Sequence, residues 1–81
     1  MFTKLLNKGM QSEDVSRLQK FLATKPEIYP AGLVTGYFGP LTEKAVQTFQ
    51  LKYGVVNSKN NPGFGVVGPK TRAKLQEVFG N

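Results

Sequence analysis

Residues 36–42 read GYFGPLT and residues 65–71 read GVVGPKT, so the pattern G-x-x-G-P-x-T occurs twice, 29 residues apart. Proline suits the first turn of a helix, where its missing amide hydrogen costs nothing. The threonine two positions later can turn its methyl group inward while its hydroxyl bonds to a backbone group. The two copies therefore predict two helices with the same entry, beginning at Pro40 and Pro69.

The sequence around these motifs predicts one further helix. A first helix should begin near Ser12, because a serine can accept hydrogen bonds from the free amides of a helix start, and should stop at Lys25-Pro26. The second helix should run to about Tyr53, with Gly54 as a left-handed cap, and the third should end at Gly80. Apolar spacing at three and four residues places these side chains in the core: Leu18, Phe38, Leu41, Val46, Phe49, Leu75 and Phe79.

The connections between the helices, residues 26–39 and 54–68, carry large apolar side chains, as ordered loops packed on a core do. A short extended piece is possible around Leu33 to Thr35, and Leu5 and Leu6 should pack beneath the first helix.

We therefore predict an all-α fold, a compact three-helix bundle with long ordered loops, in which the first two helices pack on the third. Residues 1–81 should form a single domain with a core of about residues 5–79.

Composition excludes several kinds of site. The chain has 81 residues with no cysteine and no histidine, so disulfides, thiolate metal sites and the commonest general base are absent, and we expect no metal, no cofactor and no enzyme. Among the acids near helices, Glu13, Asp14 and Glu43 lie in first turns and Glu77 lies within reach of Lys70 or Lys74, so they do not predict the carboxylate pair of a glycosidase. No stretch approaches the roughly 18 apolar residues that cross a membrane.

The net charge of +6 favours encounters with polyanions such as nucleic acid, teichoic acid or an anionic membrane surface, without choosing among them.

The motifs closely resemble those of the three-helix peptidoglycan-binding domain family, over about Leu5 to Phe79. The family pattern V-x-x-L-Q-x-x-L is present from Val15 to Leu22, G-x-F-G-P-x-T-x-x-A-V-x-x-F-Q from Gly36 to Gln50, and G-x-V-G-P-x-T-x-x-x-L from Gly65 to Leu75. Family members often carry an acid just before each G-x-x-G, where this chain has Thr35 and Phe64, and the connection from residue 54 to 64 is longer than usual.

The resemblance implies non-catalytic binding of bacterial cell-wall peptidoglycan that anchors or orients a covalently attached catalytic or surface domain. It also implies an extracytoplasmic location. The amino terminus lacks the uninterrupted apolar region of a secretion signal, so we expect any export signal to lie outside this chain, and with no sign of oligomerisation in the sequence we expect a monomer. Peptidoglycan presents sugar rings, amides and carboxylates, so a binder needs aromatic surfaces, hydrogen-bonding groups and cations. The side chains that meet this need are the predicted ligand-binding residues: Tyr29, Tyr37, Gln50, Tyr53 and Arg72.

A packing role competes with ligand binding for each of these residues. A tyrosine ring often packs in the fold with its hydroxyl at the surface. Gln19 and Gln50 lie at the edges of apolar stripes, where a hydrogen bond to a neighbouring loop is the alternative.

Two other functions remain open from the sequence. One is a protein–protein docking module on the same fold. The other is a nucleic-acid-binding three-helix module, suggested by Lys70, Arg72 and Lys74 on the last helix. We favour peptidoglycan over nucleic acid, since basic residues elsewhere are dispersed.

Overall fold

The computed structural model describes residue 2 and residues 4–80, and three helices lie within that part of the chain. Helix α1 spans Glu13–Ala23, α2 spans Pro40–Lys52 and α3 spans Pro69–Phe79. The predicted all-α three-helix fold is confirmed, and the helix ends lie close to the predicted ones. None of these helices is long and apolar enough to cross a membrane.

The helices begin in two different ways, as their sequences predict. The Ser12 hydroxyl accepts a hydrogen bond from the Val15 amide at 3.3 Å, which caps α1. Helices α2 and α3 have Gly39 and Gly68 as their N-caps, with no side-chain cap, and proline follows at once. The repeated G-x-x-G-P-x-T motif therefore gives two helix entries with the same local geometry.

An amino-terminal segment, residues 6–12, holds both motif loops. Leu6 and Val67 form an isolated antiparallel bridge with N–H···O distances of 3.2 and 2.8 Å. The Phe38 amide donates to the Met10 carbonyl at 2.8 Å. No strand develops from these contacts in the described residues, and the predicted extended piece at residues 33–35 is irregular loop.

The core lies between the helices and under both connections. Phe79 stacks on Phe21 and Phe49 with ring centroids 5.5 and 5.9 Å apart. Both α1 and α2 therefore pack on α3, as predicted, while the closest helix pair is α1 with α2. Aromatic side chains, rather than closely packed backbones, connect α3 to α1 and α2. Fully buried apolar side chains include Leu6, Val15, Leu18, Leu22, Phe38, Val46, Phe49, Val67 and Leu75.

Two leucines predicted to be interior lie at the surface. Leu41 is 53% exposed, because Thr42 takes the inward position in the first turn of α2. Leu5 is half exposed, and only its neighbour Leu6 packs inward. Gly54 adopts φ 71° as the predicted left-handed cap, whereas Gly80 is extended.

A buried glutamine ties each motif loop to the helix before it. The Gln19 side-chain oxygen accepts from the Gly36 amide at 2.9 Å, and its nitrogen lies 3.0 Å from the Tyr37 carbonyl and 2.9 Å from the Thr42 hydroxyl. We call this set the first glutamine clamp. It satisfies loop amides that would otherwise be buried without partners.

Gln50 forms an equivalent second glutamine clamp. Its oxygen accepts from the Gly65 amide at 2.7 Å, and its nitrogen lies 3.0 Å from both the Val66 carbonyl and the Thr71 hydroxyl. The same three partners recur at the same motif positions. The repeat in the sequence is therefore a repeat of one buried hydrogen-bond arrangement.

Replacing Gln50 with alanine should lower the free energy of unfolding by about 2–4 kcal/mol, because it leaves buried backbone groups unpaired and opens a cavity. Thermal unfolding followed by circular dichroism measures this. At roughly 4–8 °C per kcal/mol for a domain of this size, the midpoint should fall by at least about 8 °C.

Gln47→Ala is the matched control for Gln50→Ala. Gln47 lies on the same helix and makes no side-chain hydrogen bond within the described residues, so its loss should change stability by less than about 0.5 kcal/mol. Equal losses for the two variants would contradict the clamp.

The same substitution at two glycines should have opposite effects. Gly65 adopts φ +82°, and an added Cβ would lie 3.2 Å from atoms of Gln47 and Glu43, so Gly65→Ser should cost about 1–3 kcal/mol. Gly68 adopts φ −93° with open space at its Cβ, so Gly68→Ser should be neutral or stabilise by up to about 1 kcal/mol as a new N-cap. Urea unfolding of both variants tests the pair, and a stability loss at residue 68 as large as that at residue 65 would refute it.

Candidate functional site

Two surface cavities open at the start of α2 and α3, next to the two motif loops. The cavity at α2 has a volume of about 160 Å³, and the cavity at α3 has a volume of about 430 Å³. A third depression of about 530 Å³ is bordered by side chains of α1 alone. Ligand sites are usually concave and mostly apolar, which directs attention to the two motif cavities.

The cavity at α2 is bordered by a cluster of exposed apolar side chains. Leu33, Tyr37 and Leu41 are 54%, 47% and 53% exposed, and Pro40 lies between the last two at the helix start. We call these four residues the Tyr37 surface. Clustered apolar exposure of this kind on a small domain is typical of an interaction site.

The backbone of Tyr37 is fixed while its ring faces solvent. An added Cβ at Gly39 would lie 3.1 Å from the Tyr37 ring, so a larger residue at position 39 would push the ring aside by a few tenths of an ångström. The Tyr37 carbonyl accepts from Gln19 at 3.0 Å, whereas its hydroxyl has no hydrogen-bond partner among the described residues. Tyr37 is thus a rigidly placed aromatic surface with a free polar group.

Two of the predicted ligand-binding residues lie in the interior. Tyr29 is 3% exposed and donates its hydroxyl to the Leu33 carbonyl at 2.6 Å. Gln50 is 0% exposed and is fully engaged in the second glutamine clamp. Each side chain supports a loop: Tyr29, which also borders the cavity at α2 beside Tyr37, holds the loop that carries Leu33, and Gln50 holds the loop before α3.

The other two predicted residues lie away from the Tyr37 surface. Tyr53 caps the far end of α2, roughly 18 Å along the helix from Leu41 at 1.5 Å per residue, and its ring packs on Phe49 at 4.8 Å. The Arg72 guanidinium lies 3.5 Å from the Val67 carbonyl. Neither side chain borders a motif cavity, so the structure does not gather the five predicted residues into one site.

Sequence reasoning missed the exposed leucines of the Tyr37 surface. Leu41 fits the apolar stripe of α2 by spacing, and the signal against its burial is that Thr42 repeats at Thr71 whereas Leu41 aligns with Lys70. A position that is apolar in one copy and charged in the other belongs at the surface in both. Leu33 gave no comparable signal, because it lies in an irregular connection.

The charged groups do not form a catalytic arrangement around the motif cavities. Neither cavity is bordered by a carboxylate, and the described residues contain no group of three acids, cysteines or histidines placed to hold a metal ion. A backbone hydrogen bond and then the ion pair with Lys52 lower the pKa of Glu27, whereas a glycosidase acid needs a raised pKa. Glu77 pairs with Lys74 at 3.0 Å, one of its two predicted partners.

Two of the three basic side chains of α3 are engaged within the fold. Lys74 pairs with Glu77, and Arg72 turns toward the Val67 carbonyl. This leaves Lys70 as the one that faces a motif cavity. A DNA-reading helix would need all three side chains turned outward.

Comparison with known proteins agrees with the motifs. The family model described as "Putative peptidoglycan binding domain" matches residues 11–75. The zinc D-Ala-D-Ala carboxypeptidase of Streptomyces albus G is 34% identical over 73 residues, which cover 90% of this chain and 26% of that enzyme. The chain thus spans about a quarter of the length of this relative, and no solved structure gave a significant match. Because the family match covers most of the sequence, the chain belongs to the peptidoglycan-binding domain family.

Proposed function

We propose that this chain binds bacterial cell-wall peptidoglycan without catalysis and holds an attached protein at the wall. The observation that carries the proposal is the Tyr37 surface, an exposed apolar cluster beside a cavity in a chain of the peptidoglycan-binding domain family. Its extracytoplasmic location follows as part of the same proposal.

The Tyr37 surface suits the glycan part of peptidoglycan. Sugar rings have apolar faces that pack on aromatic rings and exocyclic groups that form hydrogen bonds. The ring of Tyr37 offers the first contact and its unpaired hydroxyl the second, while Leu33 and Leu41 extend the apolar area on either side. Because the first glutamine clamp fixes the loop beforehand, little conformational entropy is lost on binding.

Four of the five side chains suggested by the sequence are not assigned to ligand contact in this proposal. Tyr29 and Gln50 shape the loops from inside, and Tyr53 and Arg72 lie outside the Tyr37 surface. Tyr37 is the residue we assign to ligand contact.

The anchoring role draws on the relative. The zinc D-Ala-D-Ala carboxypeptidase matches this chain over only 26% of its length, which leaves room in that protein for a separate catalytic part. A module that joins such a part to the wall needs only modest affinity, because the wall repeats its ligand and tethering raises the effective concentration. Apolar cavities without carboxylates suit binding in this chain rather than hydrolysis.

Co-sedimentation with peptidoglycan sacculi stripped of teichoic acid tests the proposal. The purified chain should sediment with sacculi at low salt and at about 0.15 M salt, since apolar contacts are screened less than exposed charges. Tyr37→Ala should raise the apparent dissociation constant for sacculi at least about fivefold, as expected for loss of an aromatic contact worth about 1 kcal/mol or more.

Leu51→Ala is the control for Tyr37→Ala. Leu51 is 44% exposed on α2, the helix that follows the Tyr37 loop, and borders neither motif cavity, so its loss should leave sedimentation unchanged. Sedimentation that vanishes at 0.15 M salt, or that both variants reduce equally, would contradict the proposed surface. Duplex DNA titrated in parallel should show no salt-resistant binding.

A further inference from the structure

The cavity at α3 occupies the same place in the second repeat as the Tyr37 surface does in the first. Gly68, Pro69 and Thr71 border it, and Gly39, Pro40 and Thr42 border the cavity at α2. Equivalent buried glutamine clamps hold the two loops. The fold therefore presents two cavities built on one plan.

Side chains at two aligned positions differ between the repeats, and they change the size and charge of the second cavity. Tyr37 aligns with Val66, which replaces a large ring by a small aliphatic side chain, and Leu41 aligns with Lys70, which replaces an apolar side chain by a cation. The smaller side chain goes with a larger cavity, about 430 Å³ instead of about 160 Å³. This volume falls within the roughly 300–1,000 Å³ range of small-molecule sites.

The lining of the second cavity is mostly apolar, with Asn61 and Thr71 as its neutral polar side chains and one cation at its edge. Val55, Val56 and Val66 supply methyl groups, and Lys70 is the charged residue at the border. Lys70 forms no ion pair in the described part of the chain, and no carboxylate borders the cavity. The cavity is thus complementary to a small ligand that combines methyl groups with a free carboxylate.

We propose that this cavity, which we call the Lys70 cavity (Val55, Val56, Val66 and Lys70), binds the D-alanyl carboxylate end of a peptidoglycan peptide stem. The inference rests on the proposed function and adds a second contact of different chemistry. Alanine methyl groups pack against the valines, and the terminal carboxylate pairs with the Lys70 ammonium group. The first repeat then contacts glycan and the second contacts peptide.

Titration of the isotope-labelled chain with the tripeptide L-Lys-D-Ala-D-Ala, acetylated at both amines, tests this by NMR. Saturable shifts should appear at the amides of Val56, Val66 and Lys70 and not at those of Tyr37 and Leu41. The C-terminal amide of the same peptide, which lacks the carboxylate, should bind at least about threefold more weakly, as should Lys70→Leu to the free acid.

Lys74→Leu is the control, because it removes the same charge from the same helix at a residue that is already paired with Glu77. It should bind the peptide within about twofold of the original chain, whereas equal weakening by both variants would show a general charge effect. Leucine occupies the aligned position 41 on α2, so Lys70→Leu should fold normally.

The outcomes separate this inference from the proposed function. If the chain sediments with sacculi but the peptide produces no saturable shift, or shifts only the Tyr37 surface, the assignment of the Lys70 cavity is wrong and the proposed function stands. If the acid and amide peptides bind equally, the carboxylate contact is wrong. Failure of both sedimentation and peptide binding would overturn the proposed function as well.

Discussion

Two buried side-chain amides, those of Gln19 and Gln50, hold the loops on which the surface of this domain depends. Each accepts a hydrogen bond from a loop glycine amide and donates toward a carbonyl and a threonine hydroxyl. A buried amide left without partners costs more than its hydrogen bonds contribute, so the loop backbone has little freedom once the glutamine is enclosed. The glycines of the motif are needed for the same reason, since Gly36 and Gly65 both adopt φ +82° where they meet the glutamine.

A loop held from inside can change its outer side chains without changing its path. The two repeats keep glycine, proline and threonine where the clamp and the helix entry require them, and differ at positions 37 and 66 and at positions 41 and 70. Those differing positions border the two cavities. The interior arrangement therefore separates the requirements of folding from those of recognition, which allows one plan to present two surfaces of different chemistry.

This separation between interior positions that hold the fold and outer positions that vary also explains which features could be predicted from the sequence. Helix starts at Pro40 and Pro69 follow from local backbone chemistry, so they could be read directly and were confirmed. Leu41 could not be placed by periodicity, because the choice between Leu41 and Thr42 for the inward position is made by Gln19, a partner 23 residues from Thr42. Burial of Tyr29 likewise depends on a loop carbonyl at Leu33 that no spacing rule identifies. The helices could therefore be predicted from local sequence signals, whereas tertiary hydrogen bonds determine which side chains reach the surface.

The distribution of charge favours recognition by shape over attraction to a polyanion. The net charge of +6 arises from eleven basic and five acidic residues, and three of those acids are already paired with basic partners. The Tyr37 surface carries no charge at all, and the cavity at α3 carries one cation. A dispersed positive charge raises the rate of encounter with a negatively charged wall, but at physiological salt it acts over only about 8 Å. In the proposed function, selectivity among wall components therefore comes from the two cavities rather than from net charge.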